Sequence, residues 1–80
     1  MIDIHPVDTH VGSRLREARV EAGLTQTQLA KSAKVSFQQL QKYENGVNRV
    51  SASRLYMLSS KLNKPVQYFF EGLENTTPHG

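Results

Sequence analysis

The sequence predicts an all-α fold of five short helices, and three observations carry that expectation. Apolar residues recur at three- and four-residue intervals along most of the chain. Ser or Thr stands just before three of the apolar stretches, where a side-chain oxygen can accept from an orphan N–H of the first turn. Gly or Asn lies where several stretches stop. Eighty residues make one small domain, at a size where a single core is marginal and short, well-packed helices are economical.

Residues 1–10 show no periodicity and contain Pro6, so they read as a flexible N-terminal arm. Val11 to Ala22 forms the first helix: Val11, Leu15, Ala18 and Ala22 recur at i, i+4, i+7 and i+11, and Gly23 is the stop. Thr25 caps the second helix, with Gln28 at the third helical position to reach back. Leu29, Ala30 and Ala33 make its narrow apolar stripe, and Lys34-Val35 interrupts it. Ser36 caps a third helix that runs to Asn45-Gly46. Val47-Asn48-Arg49 is a polar loop. Ser51 then caps a fourth helix, about Ala52 to Leu62, built on Leu55, Leu58 and Leu62, with Val50 as a staple against Leu55. Pro65 suits the first position of a last helix, Val66 to Phe70. Residues 11–72 thus make the domain and 73–80 a flexible tail.

The two helices between Leu24 and Gly46 are the centre of the chain. With about 100° per residue, Leu40, Tyr43 and Glu44 share one side of the third helix, while Gln38 and Lys42 lie opposite, flanked by Gln39 and Gln41. The outward face is amide and ammonium, with no carboxylate. In a DNA major groove Gln pairs bidentately with adenine, and Lys meets guanine O6/N7 or a phosphate.

Charge is distributed in the same sense. All ten Lys and Arg fall between Arg14 and Lys64 among only three acids, Glu17, Glu21 and Glu44, a net of +7, while the flanks carry −4. A basic domain with acidic ends suits a polyanionic partner, although many basic domains have only a solvated surface. Arg19 borders the stripe of the first helix and Glu44 borders a buried face, so the two can pair.

Other classes find little support. The absence of cysteine removes a disulfide framework and a thiolate zinc site, and suits a reducing cytoplasm. His5, His10 and His79 lack the spacing of a metal site, so no metal or cofactor is expected. The longest apolar run is a few residues, and the acidic start MIDIHPVD is unlike a signal peptide, so a cytoplasmic location with no membrane partner is expected. Paired carboxylates, a Ser/His/Asp set and a Gly-rich phosphate loop are missing, and so small a chain encloses little pocket; no enzyme is expected.

Leu24-Thr25-Gln26, Leu29-Ala30, Val35-Ser36, Leu40, Tyr43-Glu44-Asn45-Gly46 and the Leu55, Leu58, Leu62 series together resemble the phage repressor and Cro type of helix-turn-helix domain, the XRE-like group. The resemblance covers about Val11 to Phe70. The segment FQQLQKYENGVNRVSASRLY, followed by PVQYFFEG, resembles short regulators of alphaproteobacteria in particular.

The resemblance implies a compact, lambda repressor-like bundle of five helices, with the second crossing the DNA backbone and the third lying in the major groove. Gln38 and Lys42 match its base-reading positions, with Phe37 beside them and Gln39 and Gln41 ranked second. Thr25, Gln26 and Ser36 would contact phosphate, as would Asn45, Asn48 and Arg49 on the other side. Arg19 and Glu44 match a buried ion pair joining the first and third helices. Phe37 departs from an often polar position: it can tuck under the first turn or touch a thymine methyl. Lys42 can serve as a phosphate anchor instead of a reader.

The function so implied is a sequence-specific double-stranded DNA-binding transcriptional regulator, a homodimer on a roughly palindromic operator. Of the aromatics Tyr68, Phe69 and Phe70, one of the two phenylalanines is expected in the core, and the surface that remains is a candidate dimer contact. The alternative is an antitoxin or adaptor module whose main partner is another protein, held through that aromatic segment and the acidic ends.

Overall fold

The computed structural model describes residues 4–73. Four α-helices and one 3₁₀ helix follow in order: α1 (Pro6–Glu21), α2 (Gln26–Ala33), α3 (Phe37–Glu44), α4 (Ala52–Leu62) and the 3₁₀ helix Val66–Phe70. The count of five α-helices is therefore corrected to four. The last element winds at about three residues per turn, a geometry suited to so short a connector.

The first helix also begins earlier than Val11. His5 takes extended backbone as the N-cap, its Nδ1 accepts from the Val7 N–H at 3.1 Å, and Pro6 occupies the first turn, where its missing N–H has no consequence. Asp8 adds a carboxylate at the positive end of the helix. Residues 6–10 of the expected arm are thus helix; residues 1–3, His79 and the tail from 74 lie outside the described residues.

The other boundaries are local chemistry. Thr25 and Gln28 close a reciprocal capping box, at 3.0 Å from the Gln28 N–H to Thr25 Oγ1 and 2.8 Å from the Thr25 N–H to Gln28 Oε1. Ser36 accepts from the Gln39 N–H and Ser51 from the Arg54 N–H. Between α2 and α3 the chain turns on Lys34 in the left-handed region, φ 59°.

Leu15, Leu29, Leu40, Leu58 and Phe69 are fully buried and form the centre of the core, surrounded by Val11, Ala18, Ala30, Ala33, Tyr43, Leu55 and Leu62. α1 packs against α3 and the 3₁₀ helix, and α2 against α3 and α4. At Gly12 the α1 backbone lies close against the end of α3: a Cβ there would collide with the carbonyl oxygen of Tyr43 and stand 2.8 Å from that of Glu44. A small residue at this position lets α3 lie against the α1 backbone.

The 3₁₀ helix is pinned to α1 by polar contacts. Arg14 donates through Nε to the Tyr68 carbonyl at 3.0 Å, pairs with Glu17 and Glu71, and stacks its guanidinium 3.9 Å from the Tyr68 ring centre. Lys64 reaches the same ring and bridges to Glu21 at 2.6 Å. That hydrogen bond, and then the opposite charge, lowers the Glu21 carboxyl from its ordinary range; the same hydrogen bond raises the Lys64 ammonium.

Candidate nucleic-acid interface

α3 presents its outer face as an eight-residue helix whose opposite stripe, Leu40, Tyr43 and Glu44, is buried. Gln38 and Lys42 are exposed one turn apart, and Gln39 and Gln41 are half-buried beside them. Phe37 is 40% exposed, enough for its ring edge to meet a ligand. Ser36 uses its oxygen as a cap acceptor and keeps its hydroxyl proton free to donate.

A buried polar knot fixes the orientation of α3. Arg19 donates to Glu44 from Nε at 2.7 Å and from a terminal nitrogen at 3.2 Å, while its other terminal nitrogen donates to the Leu24 carbonyl at 2.9 Å. The Gln26 amide nitrogen donates to Glu44 Oε1 at 2.9 Å. One carboxylate therefore joins α1, the first turn of α2 and the end of α3, and its side chain is 1% exposed. Among the described residues no buried side-chain nitrogen or oxygen lacks a partner. Such a pair fixes geometry more than it adds net stability.

Beside this knot opens a polar cleft of about 520 Å³, lined by Arg16, Thr25, Gln26, Gln41, Glu44 and Asn45 among others. Asn45 thus stands with Thr25 and Gln26 and not with Arg49. Arg49 lies at the other end of α1, where its Nε donates to both Asp8 carboxylate oxygens at 3.1 and 3.2 Å while its guanidinium stays largely exposed. Asn48 is half-buried in the loop before it.

The aromatic segment divides its residues. Phe69 is fully buried in the monomer, so its assignment to a dimer contact is withdrawn. Tyr68 is half-buried, with cations over its ring and its plane perpendicular to that of Phe69. Phe70 alone of the three is exposed, at the rim of an apolar groove of about 390 Å³ that includes Val7, Val11, Val50 and Leu55.

Arg16, Asp8 and Gly12 are the residues that sequence reasoning passed over. Arg16 had a signal, since it precedes Arg19 by one helical turn; the Asp8–Arg49 pair and the contact at Gly12 join residues too far apart in the chain to leave one. Among the described residues no group of acids and histidines is arranged to hold a metal ion, and no helix is long and apolar enough to cross a membrane.

A helix-turn-helix family model, HTH_3, matches residues 15–69, the span from the α1 stripe to the core phenylalanine. The chain belongs to this family, the XRE or Cro/C1 type of DNA-binding transcriptional regulators. It is 53% identical over 75 residues to an uncharacterised transcriptional regulator in the ATPase CF(0) region of Rhodospirillum rubrum, covering 94% of this chain and 69% of that protein. It is 54% identical over 67 residues to an uncharacterised helix-turn-helix regulator of Sinorhizobium medicae, covering 84% of this chain. The chain spans about half, 48%, of the length of that relative. Among solved structures, the clp gene regulator ClgR of Corynebacterium glutamicum superposes with a TM-score of 0.78 at 27% identity, over 82% of this chain and 86% of that one.

Proposed function

We propose that this helix-turn-helix chain is a sequence-specific regulator that inserts α3 into the major groove of double-stranded DNA. The observation that carries the reading is the carboxylate-free outer face of α3, held in one orientation by the buried Arg19–Glu44–Gln26 knot. Gln38 and Lys42 read base edges, with Gln39 and Gln41 as secondary contacts and Phe37 placed to meet a thymine methyl. Thr25, Gln26, Ser36 and Asn45 hold backbone phosphate on one side. Asn48 and Arg49 do so separately, with Asp8 holding the Arg49 guanidinium through its Nε. These backbone contacts set register and do not read sequence.

Two copies act on a roughly palindromic operator with half-sites about one helical turn apart. Phe70 and the groove beside it supply the contact between copies, flanked by Tyr68. With Phe69 in the core, the aromatic segment leaves only Phe70 and part of Tyr68 for a separate partner protein, which favours DNA over an adaptor role.

Selection of bound duplexes from random DNA tests the reading, followed by anisotropy titration of the selected site and a scrambled one at two salt concentrations. A symmetric selected site bound about 10³-fold or more tighter than scrambled DNA is the expected result. Equal affinity for every sequence would overturn it.

A further inference from the structure

We infer that Arg16 on α1 is a backbone-phosphate contact, forming with Thr25, Gln26, Gln41 and Asn45 one phosphate seat in the polar cleft beside α3; the inference rests on the DNA-binding reading above. Four of the five arginines are engaged internally: Arg14 with Glu17, Glu71 and the Tyr68 carbonyl, Arg19 with Glu44, Arg49 with Asp8, and Arg54 with the Ala33 carbonyl. Arg16 makes none of the hydrogen bonds or ion pairs among the described residues and is exposed. The carboxylates nearest to it along α1 are already engaged, Glu17 by Arg14 and Glu21 by Lys64. The remaining acid in the cleft, Glu44, has both oxygens accepting and its charge balanced by Arg19.

What the cleft offers an incoming group is therefore a free guanidinium, the Thr25 hydroxyl proton, and the amides of Gln26, Gln41 and Asn45. A planar guanidinium can grip two phosphate oxygens at once. Gln41 on α3 and Asn45, its C-cap, lie one turn apart and beside Gln38 and Lys42, so an anion seated here lies along the edge of the helix that reads the groove. The chemistry fits a phosphodiester of the strand bordering that groove.

The test uses the full chain and a mixed-sequence duplex of about 20 base pairs, with binding measured between about 50 and 200 mM salt. One lost phosphate contact lowers the slope of log K against log salt by about 0.9. The expected result for Arg16→Gln is therefore a loss of affinity over that salt range that is smaller by roughly 3.5-fold than for the wild type. Arg16→Lys, which keeps the charge, should retain the wild-type slope. Lys61→Gln on α4, which removes one charge away from the cleft, should leave it unchanged, with melting curves confirming that each variant is folded. Wild-type binding with an unaltered slope in Arg16→Gln would overturn the assignment alone, as would equal losses in Arg16→Gln and Lys61→Gln. A wild-type chain with no affinity for DNA would overturn the assignment together with the reading beneath it.

Discussion

Gly12 on α1 lies directly under the carbonyl oxygens of Tyr43 and Glu44, so the last turn of α3 rests on a backbone with no side chain between. Gly in a helix interior ordinarily weakens the helix relative to Ala by about 0.5–1 kcal/mol, so Gly12→Ala would stabilise an isolated α1. In the folded chain the atoms that a Cβ meets are backbone and cannot swing aside. Gly12→Ala should destabilise the domain by about 3 kcal/mol, the upper end of overpacking costs. Urea unfolding followed by circular dichroism checks it; an unchanged midpoint would mean that α1 and α3 are not seated as described.

Glu44 has a different role, because its carboxylate is the shared acceptor for Arg19 and Gln26. Glu44→Ala leaves the Arg19 guanidinium buried with one carbonyl partner and should cost about 3–5 kcal/mol. The double change Arg19→Met with Glu44→Leu removes both charges and should cost less than the two single losses summed. A double-mutant cycle by denaturant unfolding measures the coupling, and additive losses would refute the shared role.

The elements legible in the sequence are those set by residues close together. The caps at Thr25, Ser36 and Ser51 act over three positions, and the inward stripe of α3 follows from its period alone. Arg19 and Glu44 were legible as opposite charges at the borders of two apolar stripes. The start of α1 was not, because Pro6 read as a break when it is well suited to the first turn of a helix, and a His ring nitrogen is an uncommon cap. Three consecutive aromatics left open which one enters the core. At three residues per turn they diverge by about 120°, so only one can face inward, and the packing with α1 selects Phe69. The site departs in one respect: Asn45 joins Gln26 across the cleft, because the Arg19–Glu44 pair draws the end of α3 to the α1–α2 corner.

Lys34 in the turn between α2 and α3 holds φ at 59°, a conformation that costs a side chain with a Cβ about 1–2 kcal/mol. Lys34→Gly relieves that strain and gives back part of the gain as unfolded-chain entropy. The expected outcome is a stabilisation of about 1 kcal/mol in urea unfolding, and a loss of stability would show that the lysine side chain holds the turn.

Gln38 and Arg49 should fail in different ways. Gln38→Ala removes an exposed amide from the outer face of α3 and should lose about 1–3 kcal/mol on the selected operator, with preference relaxed at one or two base pairs. Arg49→Ala should weaken every sequence alike and reduce the salt slope by about one. Titrations of the two variants against operator and scrambled duplexes separate the effects. Unchanged sequence preference in Gln38→Ala would place the reading surface elsewhere on the helix.

Neighbouring phenylalanines with opposite burial make the last comparison sharp. Phe69→Ala empties the centre of the core and should cost about 3–5 kcal/mol as a cavity, with secondary structure lost before any question of assembly arises. Phe70→Ala truncates a ring at the rim of the groove formed with Val7, Val11, Val50 and Leu55, so it should change monomer stability little. Its expected effect is on mass: sedimentation should show the dimer dissociating at protein concentrations where the wild type stays paired. The affinity for a two-half-site operator should fall with it, toward that for a single half-site, since linkage between the two copies is lost. A Phe70→Ala chain that remains a dimer would move the contact between copies away from this groove.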